Sequence, residues 1–198
     1  MHICCKMLRQ VAAYSNVIGN DVLEEVMDKN LDHFIPIGYT EEELAYAGKF
    51  KEVVTELDKE GLKDMIAHVV EKDKRKEVLD MPLLDFKLDR SESYGGGGST
   101  DVGDVSWCVP TAQINTSTFP AQAPGHSWQN VSCGRTSIAH KNMLLAGKVI
   151  AATAIDLMEK PNVLQAAKDE FNKKMKRYGG YICPIPKDAV PVVPGEKM

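Results

Sequence analysis

Apolar residues recur at helical spacing through most of the chain. After the turn and helix-start signal Gly19-Asn20-Asp21, Val22, Leu23, Val26, Met27 and Leu31 share one face as far as about Phe34. Pro36 and Gly38 break that helix. Thr40-Glu41-Glu42-Glu43 has the form of a capping box, a hydroxyl at the cap and a carboxylate three residues on. The helix it opens is expected to run to about Lys59, with Leu44, Ala47, Phe50, Val54 and Leu57 along one face and Gly61 as its interruption. A second amphipathic stretch covers Leu62 to about Val70, and the charged run Glu71 to Glu77 reads as a solvated face or loop.

From Pro82 to Gly134 the texture changes to Gly, Ser, Thr and Pro, and helical periodicity is lost. Ala112 to Thr116 alternates like a short strand. Helical texture returns at Thr136 and is strongest from Asn142 to Met158. Pro161 opens a last helix to about Arg177, which Gly179-Gly180 ends. Met1 to Tyr14 is short and mixed and reads like the tail of something larger. From the pattern alone, the fold is α/β or α+β with helices dominant.

The 198 residues suffice for one domain with a core, and 43% hydrophobic against 26% charged excludes wholesale disorder. Lys plus Arg total 24 and Asp plus Glu 28, a net charge of -4. That balance gives no footprint for nucleic acid and argues against an anionic membrane surface. The longest apolar stretch is interrupted by Lys148 and Asp156, and Met1 to Gln10 has no continuous apolar core of a secretory leader. The cytoplasm is the default compartment, and the scattered Cys4, Cys5, Cys108, Cys133 and Cys183 read as reduced thiols.

Two loops hold the candidate chemistry. In Tyr94 to Trp107, four glycines precede Ser99, Thr100, Asp101 and Asp104. Glycines admit close backbone approach, and hydroxyls with acids can bind a polar substrate. Composition alone favours a plain linker, and a nucleotide loop would lack its lysine. In Ala123 to Gln129, a Pro-Gly turn presents His126 just ahead of a long helix. Imidazole is a common metal ligand, yet a lone histidine is more often a hydrogen-bonded loop residue, and nothing at short spacing completes a site. His33, His68 and His140 read as polar helix residues, and Cys133 has no activating context as a nucleophile.

Gly97 to Thr111 and Pro124 to Gln129, followed by Ser137-Ile138-Ala139-His140-Lys141, closely resemble the aminobenzoyl-glutamate utilization (p-aminobenzoyl-glutamate hydrolase) family. Ser15-Asn16-Val17, Asn20 to Leu23 and Tyr39 to Ala45 fit the same family, so the resemblance runs from about Tyr14 to Pro186. Its members are dinuclear-metal amidohydrolases similar to aminoacylases and auxin-conjugate hydrolases. Two zinc or manganese ions activate a water that cleaves the amide of an acyl-amino acid, and a Glu-Glu pair supplies the base.

The resemblance implies an α/β fold: the helix-rich C-terminal half of an exopeptidase-like catalytic domain over residues 16–198. Residues 1–15 would be a remnant of the inserted lid or dimerisation domain. It places His126 as a metal ligand and Ser99, Thr100 and Asp101 as substrate-binding residues, with no catalytic base in this chain. The other ligands belong to the family's N-terminal half, whose motif this sequence lacks. The chain alone is therefore expected to hold no stable metal and to be inactive. Its partners would be a second copy, or a chain carrying the missing half, beside an acyl-amino acid substrate. The alternative is a non-catalytic fragment or an oligomerisation or binding module.

Overall fold

The computed structural model describes residues 13–88, 100–120 and 123–189. Among them are α-helices and no strand: α1 (Asp21–Asp32), α2 (Glu41–Gly48), α3 (Glu56–Val69), α4 (Arg75–Asp80), α5 (Val102–Ser106), α6 (Trp128–Cys133), α7 (Ser137–Glu159) and α8 (Pro161–Tyr178). The helix-rich expectation holds. Ala112 to Thr116, expected as a strand, carries no ladder, because no second segment pairs with it among the described residues.

The chain divides into two compact units. One is drawn from Met1–Leu23, Gly97–Ala112 and Asn162–Met198, the other from Glu24–Gly96 and Gln113–Pro161.

In the first unit, α8 is tied to the start of α1. The Asn20 side chain accepts from the Leu23 N–H at 3.1 Å, capping α1, and donates to the Ala167 carbonyl at 2.9 Å. Glu170 accepts from the backbone N–H groups of Asp21 and Val22, where the helix N-terminus is electropositive. Lys174 closes the group with Glu170 at 2.6 Å and Asp21 at 3.2 Å. Gly179 and Gly180, at φ 85° and 82°, end α8 as the sequence indicates.

In the second unit, the Thr40–Glu43 capping box is present as predicted. The helix it opens stops at Gly48, passes through a 3-10 turn at Lys49–Glu52, and gives way to α3. The break comes at Thr55, ahead of Gly61, because Thr55 and Asp58 form a second capping box that starts a new helix. Gly61 lies within α3, with open space where a Cβ would stand. Leu57, placed by its spacing on the apolar face with Ala47, Phe50 and Val54, is exposed. The charged run is half helix: Arg75 at the start of α4 donates to the Val70 and Ala67 carbonyls and closes the end of α3.

Two small cores fill this unit. Leu62, Ile66, Val70 and Val78 pack with Leu79, Leu84 and Leu88; Ala47, Leu83 and Ile138 pack with Tyr39 and Tyr46. A buried carboxylate joins α2 to α7. Glu43, 7% exposed, accepts from the Thr40 N–H, from the Ser137 hydroxyl and from the Lys141 ammonium at 2.7 Å. Lys141 also donates to the Gly38 carbonyl at 2.9 Å. Burial works against the charged form of Glu43, but the bonds from Lys141, Ser137 and Thr40 prevail and hold its carboxyl at about 2, against an ordinary 4.5.

The unfolded chain protonates Glu43 first, so its contribution is complete above about pH 4.5 and is lost as the pH falls towards 2. Glu43→Gln should lower stability by about 1–3 kcal/mol near neutral pH, because the Lys141 ammonium then lacks its partner. Denaturant titrations across that window should show a flatter acid limb in the variant. An unchanged limb would remove Glu43 from the account.

Candidate functional site

Thr100 to Trp107 and the histidine loop fall in different units. Ser99 lies outside the described residues, and its assignment to substrate binding is untouched by the structure. Thr100 is half-buried and Asp101 exposed, immediately before α5. The Thr100 hydroxyl accepts from the Val102 N–H at 3.2 Å and lies 3.4 Å from an Asp101 carboxylate oxygen. That local turn fixes Thr100 and leaves the Asp101 carboxylate facing water.

The rest of the motif holds the chain together. A Cβ on Gly103 would stand 1.9 Å from the Ser15 carbonyl oxygen, so only glycine permits this approach. Asp104 accepts from the Ser15 hydroxyl at 2.7 Å and from its N–H at 3.3 Å. Ser106, fully buried, accepts from the Ile18 N–H at 2.8 Å and donates to the Gly103 carbonyl. The Trp107 indole N–H donates to the Asn16 carbonyl at 2.9 Å, and its ring lies 5.9 Å from Tyr178. The Asn20 N–H reaches the Thr111 carbonyl at 3.0 Å. Asp104 and Ser106 of α5, with Trp107 and the Thr111 carbonyl beyond it, thus hold Ser15, Asn16, Ile18 and Asn20. Desolvation, then bonding to Cys183 and the charge of Asp104, push the Tyr181 phenol up to about 12.

In the second unit, His126 is exposed on the loop before α6, a short helix that comes between this loop and the long α7. Ser127 caps α6, accepting from the Asn130 N–H and donating to the Pro124 carbonyl at 2.6 Å. His126 has φ 55°, left-handed backbone that side chains seldom adopt. Strain of this kind concentrates where a side chain must be presented in one direction. Gln129, close by in α6, is 7% exposed, and its carbonyl oxygen has no hydrogen-bond partner among the described residues. Trp128 is 63% exposed, its ring 6.2 Å from Phe50. Cys133 is buried, and burial pushes its thiol up, which suits a packing residue and not a nucleophile. Among the described residues, no three His, Cys, Asp or Glu side chains gather as a metal site, and no helix is long and apolar enough to cross a membrane.

The sequence reading missed the docking of Ser15–Asn20 on α5 and the Glu43–Lys141 pair. A glycine followed by Asp, Ser and Trp at Gly103–Trp107 is a signal for close packing, though it names no partner. Gly103→Ala should cost about 2 kcal/mol or more, since backbone must move to admit the methyl group. Thermal unfolding of the full chain checks this, and an unchanged Tm would refute the close approach. At His126, valine should lower stability by about 1–2 kcal/mol more than glycine does, because a β-branched residue resists positive φ and glycine does not. Equal Tm values for the two variants would contradict the left-handed backbone.

No protein-family profile and no solved structure matches the chain. Among curated proteins, it is 37% identical over 186 residues to a subunit of the p-aminobenzoyl-glutamate hydrolase of Escherichia coli (strain K12). The match takes in 90% of this chain and 38% of the relative. The chain therefore spans well under half the length of the curated relative, a share consistent with a C-terminal portion. Over nearly its whole length, then, the chain is related by sequence to a p-aminobenzoyl-glutamate hydrolase subunit, as its two loop motifs indicate.

Proposed function

We propose that this chain is part of a metal-dependent amidohydrolase of the p-aminobenzoyl-glutamate hydrolase type, cleaving an amide to an amino acid, and that it is incomplete alone. The observation that carries the reading is the 37% identity over 90% of the chain to a hydrolase subunit. More than half of that relative lies outside the match, which leaves room for groups this chain lacks.

The two zinc or manganese ions that the resemblance implies do not fit the described residues. His126 offers one imidazole, and no second and third ligand gather beside any such group. One imidazole holds a divalent ion poorly without carboxylates to neutralise it. The described residues thus support no step through a metal. What they support is narrower. His126 presents a nitrogen lone pair from a constrained loop. Thr100 and Asp101 present a hydroxyl and a carboxylate to polar groups of an acyl-amino acid, with Ser99 beside them in sequence. The general base and the remaining ligands come from polypeptide outside the matched stretch, in a second chain or in a longer form of this one.

The test uses the full chain with p-aminobenzoyl-glutamate and manganese or zinc. Alone it should release no glutamate above background. Mixed or co-expressed with the segment of the E. coli relative outside the match, it should turn over substrate, and His126→Ala should abolish that activity. Turnover by the pure chain, scaling with its concentration, would overturn its incompleteness. A complemented pair that cleaves equally well with His126→Ala would remove His126 from the site.

A further inference from the structure

α6 begins with a tryptophan in water. Trp128 is its first residue and is 63% exposed. An indole gains from burial or from stacking on another ring, so this exposure is unfavourable as it stands.

The ring nevertheless has a fixed support. Phe50, 5% exposed, lies 6.2 Å from it at an interplanar angle of 35°. Tyr46, in α2, meets Phe50 edge-on at 5.4 Å. The Tyr46 hydroxyl shares a 2.8 Å hydrogen bond with the Ser132 hydroxyl, in the last turn of α6. The aromatic row thus leaves α6 at Trp128 and returns to it at Ser132, which ties both ends of that short helix to α2. Just ahead of the ring, the Ser127 side chain caps α6 and donates to the Pro124 carbonyl. Ring and backbone are both anchored while most of Trp128 stays open.

His126 stands two residues earlier, exposed, with its backbone at φ 55°. One short stretch of chain therefore exposes an imidazole and a supported indole. An anchored aromatic face beside polar groups suits a flat ring that carries polar substituents. Under the reading proposed above, the acyl group of the substrate is such a ring.

We propose that Trp128 is a specificity residue, its indole stacking on the aromatic acyl group of the substrate. The nature of the ligand rests on the hydrolase reading, whereas the anchored indole stands on the geometry alone.

Two experiments test this and can fail separately. Millimolar p-aminobenzoyl-glutamate added to the full chain should quench and shift the tryptophan emission. The change should vanish in Trp128→Phe, where Trp107 is the remaining indole and the ligand absorbs equally. Glutamate should leave the emission unchanged. An equal change in both chains, or none in either, would overturn the proposal. In the complemented enzyme, Trp128→Leu should raise the KM for p-aminobenzoyl-glutamate and the inhibition constant of p-aminobenzoate about three- to tenfold. Inhibition by glutamate should not move, and Trp128→Phe should keep most of the wild-type values, a selectivity that general misfolding would not produce. Aromatic and glutamate affinities that fall together would overturn the stacking role. A complemented pair without turnover would count against the hydrolase reading, and the emission titration alone would then decide the role of Trp128.

Discussion

A carboxylate nearly sealed from water has to be surrounded by donors, and Glu43 shows what that demand does to a fold. Its oxygens are met by the backbone at the start of α2, by the first residue of α7 and by an ammonium one turn further along α7. An unpaired buried charge would cost several kcal/mol, so these groups can hardly separate while the chain stays folded. That grouping ties α2 to α7, which also meet in the small core of Ala47, Leu83 and Ile138. Asn142 extends the same polar seam, donating to the Tyr39 hydroxyl at 2.8 Å and to the Ile138 carbonyl at 2.9 Å.

Much of this was legible in the sequence, for physical reasons that differ by element. The caps at Asn20 and Thr40 were readable because a helix terminus is satisfied by groups within four residues of itself. The ends of α8 were readable because proline and glycine act on their own backbone. The break at Thr55 was also local, yet Gly61 drew the boundary to itself; an exposed glycine weakens a helix only modestly, whereas a capping box starts one. The extended stretch at Ala112 was misread because a strand is a property of two segments, and alternation describes one.

The two loop motifs were visible as motifs, but their internal division of labour was not. Gly103, Asp104, Ser106 and Trp107 bind a segment some ninety residues earlier in the chain, a relation no spacing rule reports. Thr100 and Asp101, from the same run, make only local bonds: the Thr100 hydroxyl closes a turn with Val102, and Asp101 is exposed. A single conspicuous sequence signature can thus contain both exposed polar residues and residues that hold distant backbone in place. At His126 a polar, exposed side chain and left-handed backbone fall on the same residue.

The chain's two tryptophans fall one in each unit. Trp107 is half-buried with its indole N–H bound to a carbonyl, while Trp128 stands largely in water beside Phe50. Indole emission moves to longer wavelength as water reaches the ring, so the two units carry separate optical labels of different colour. The molecule therefore reports on its own cooperativity. Whether the two units melt as one body or in turn is written into its native fluorescence, with no probe attached.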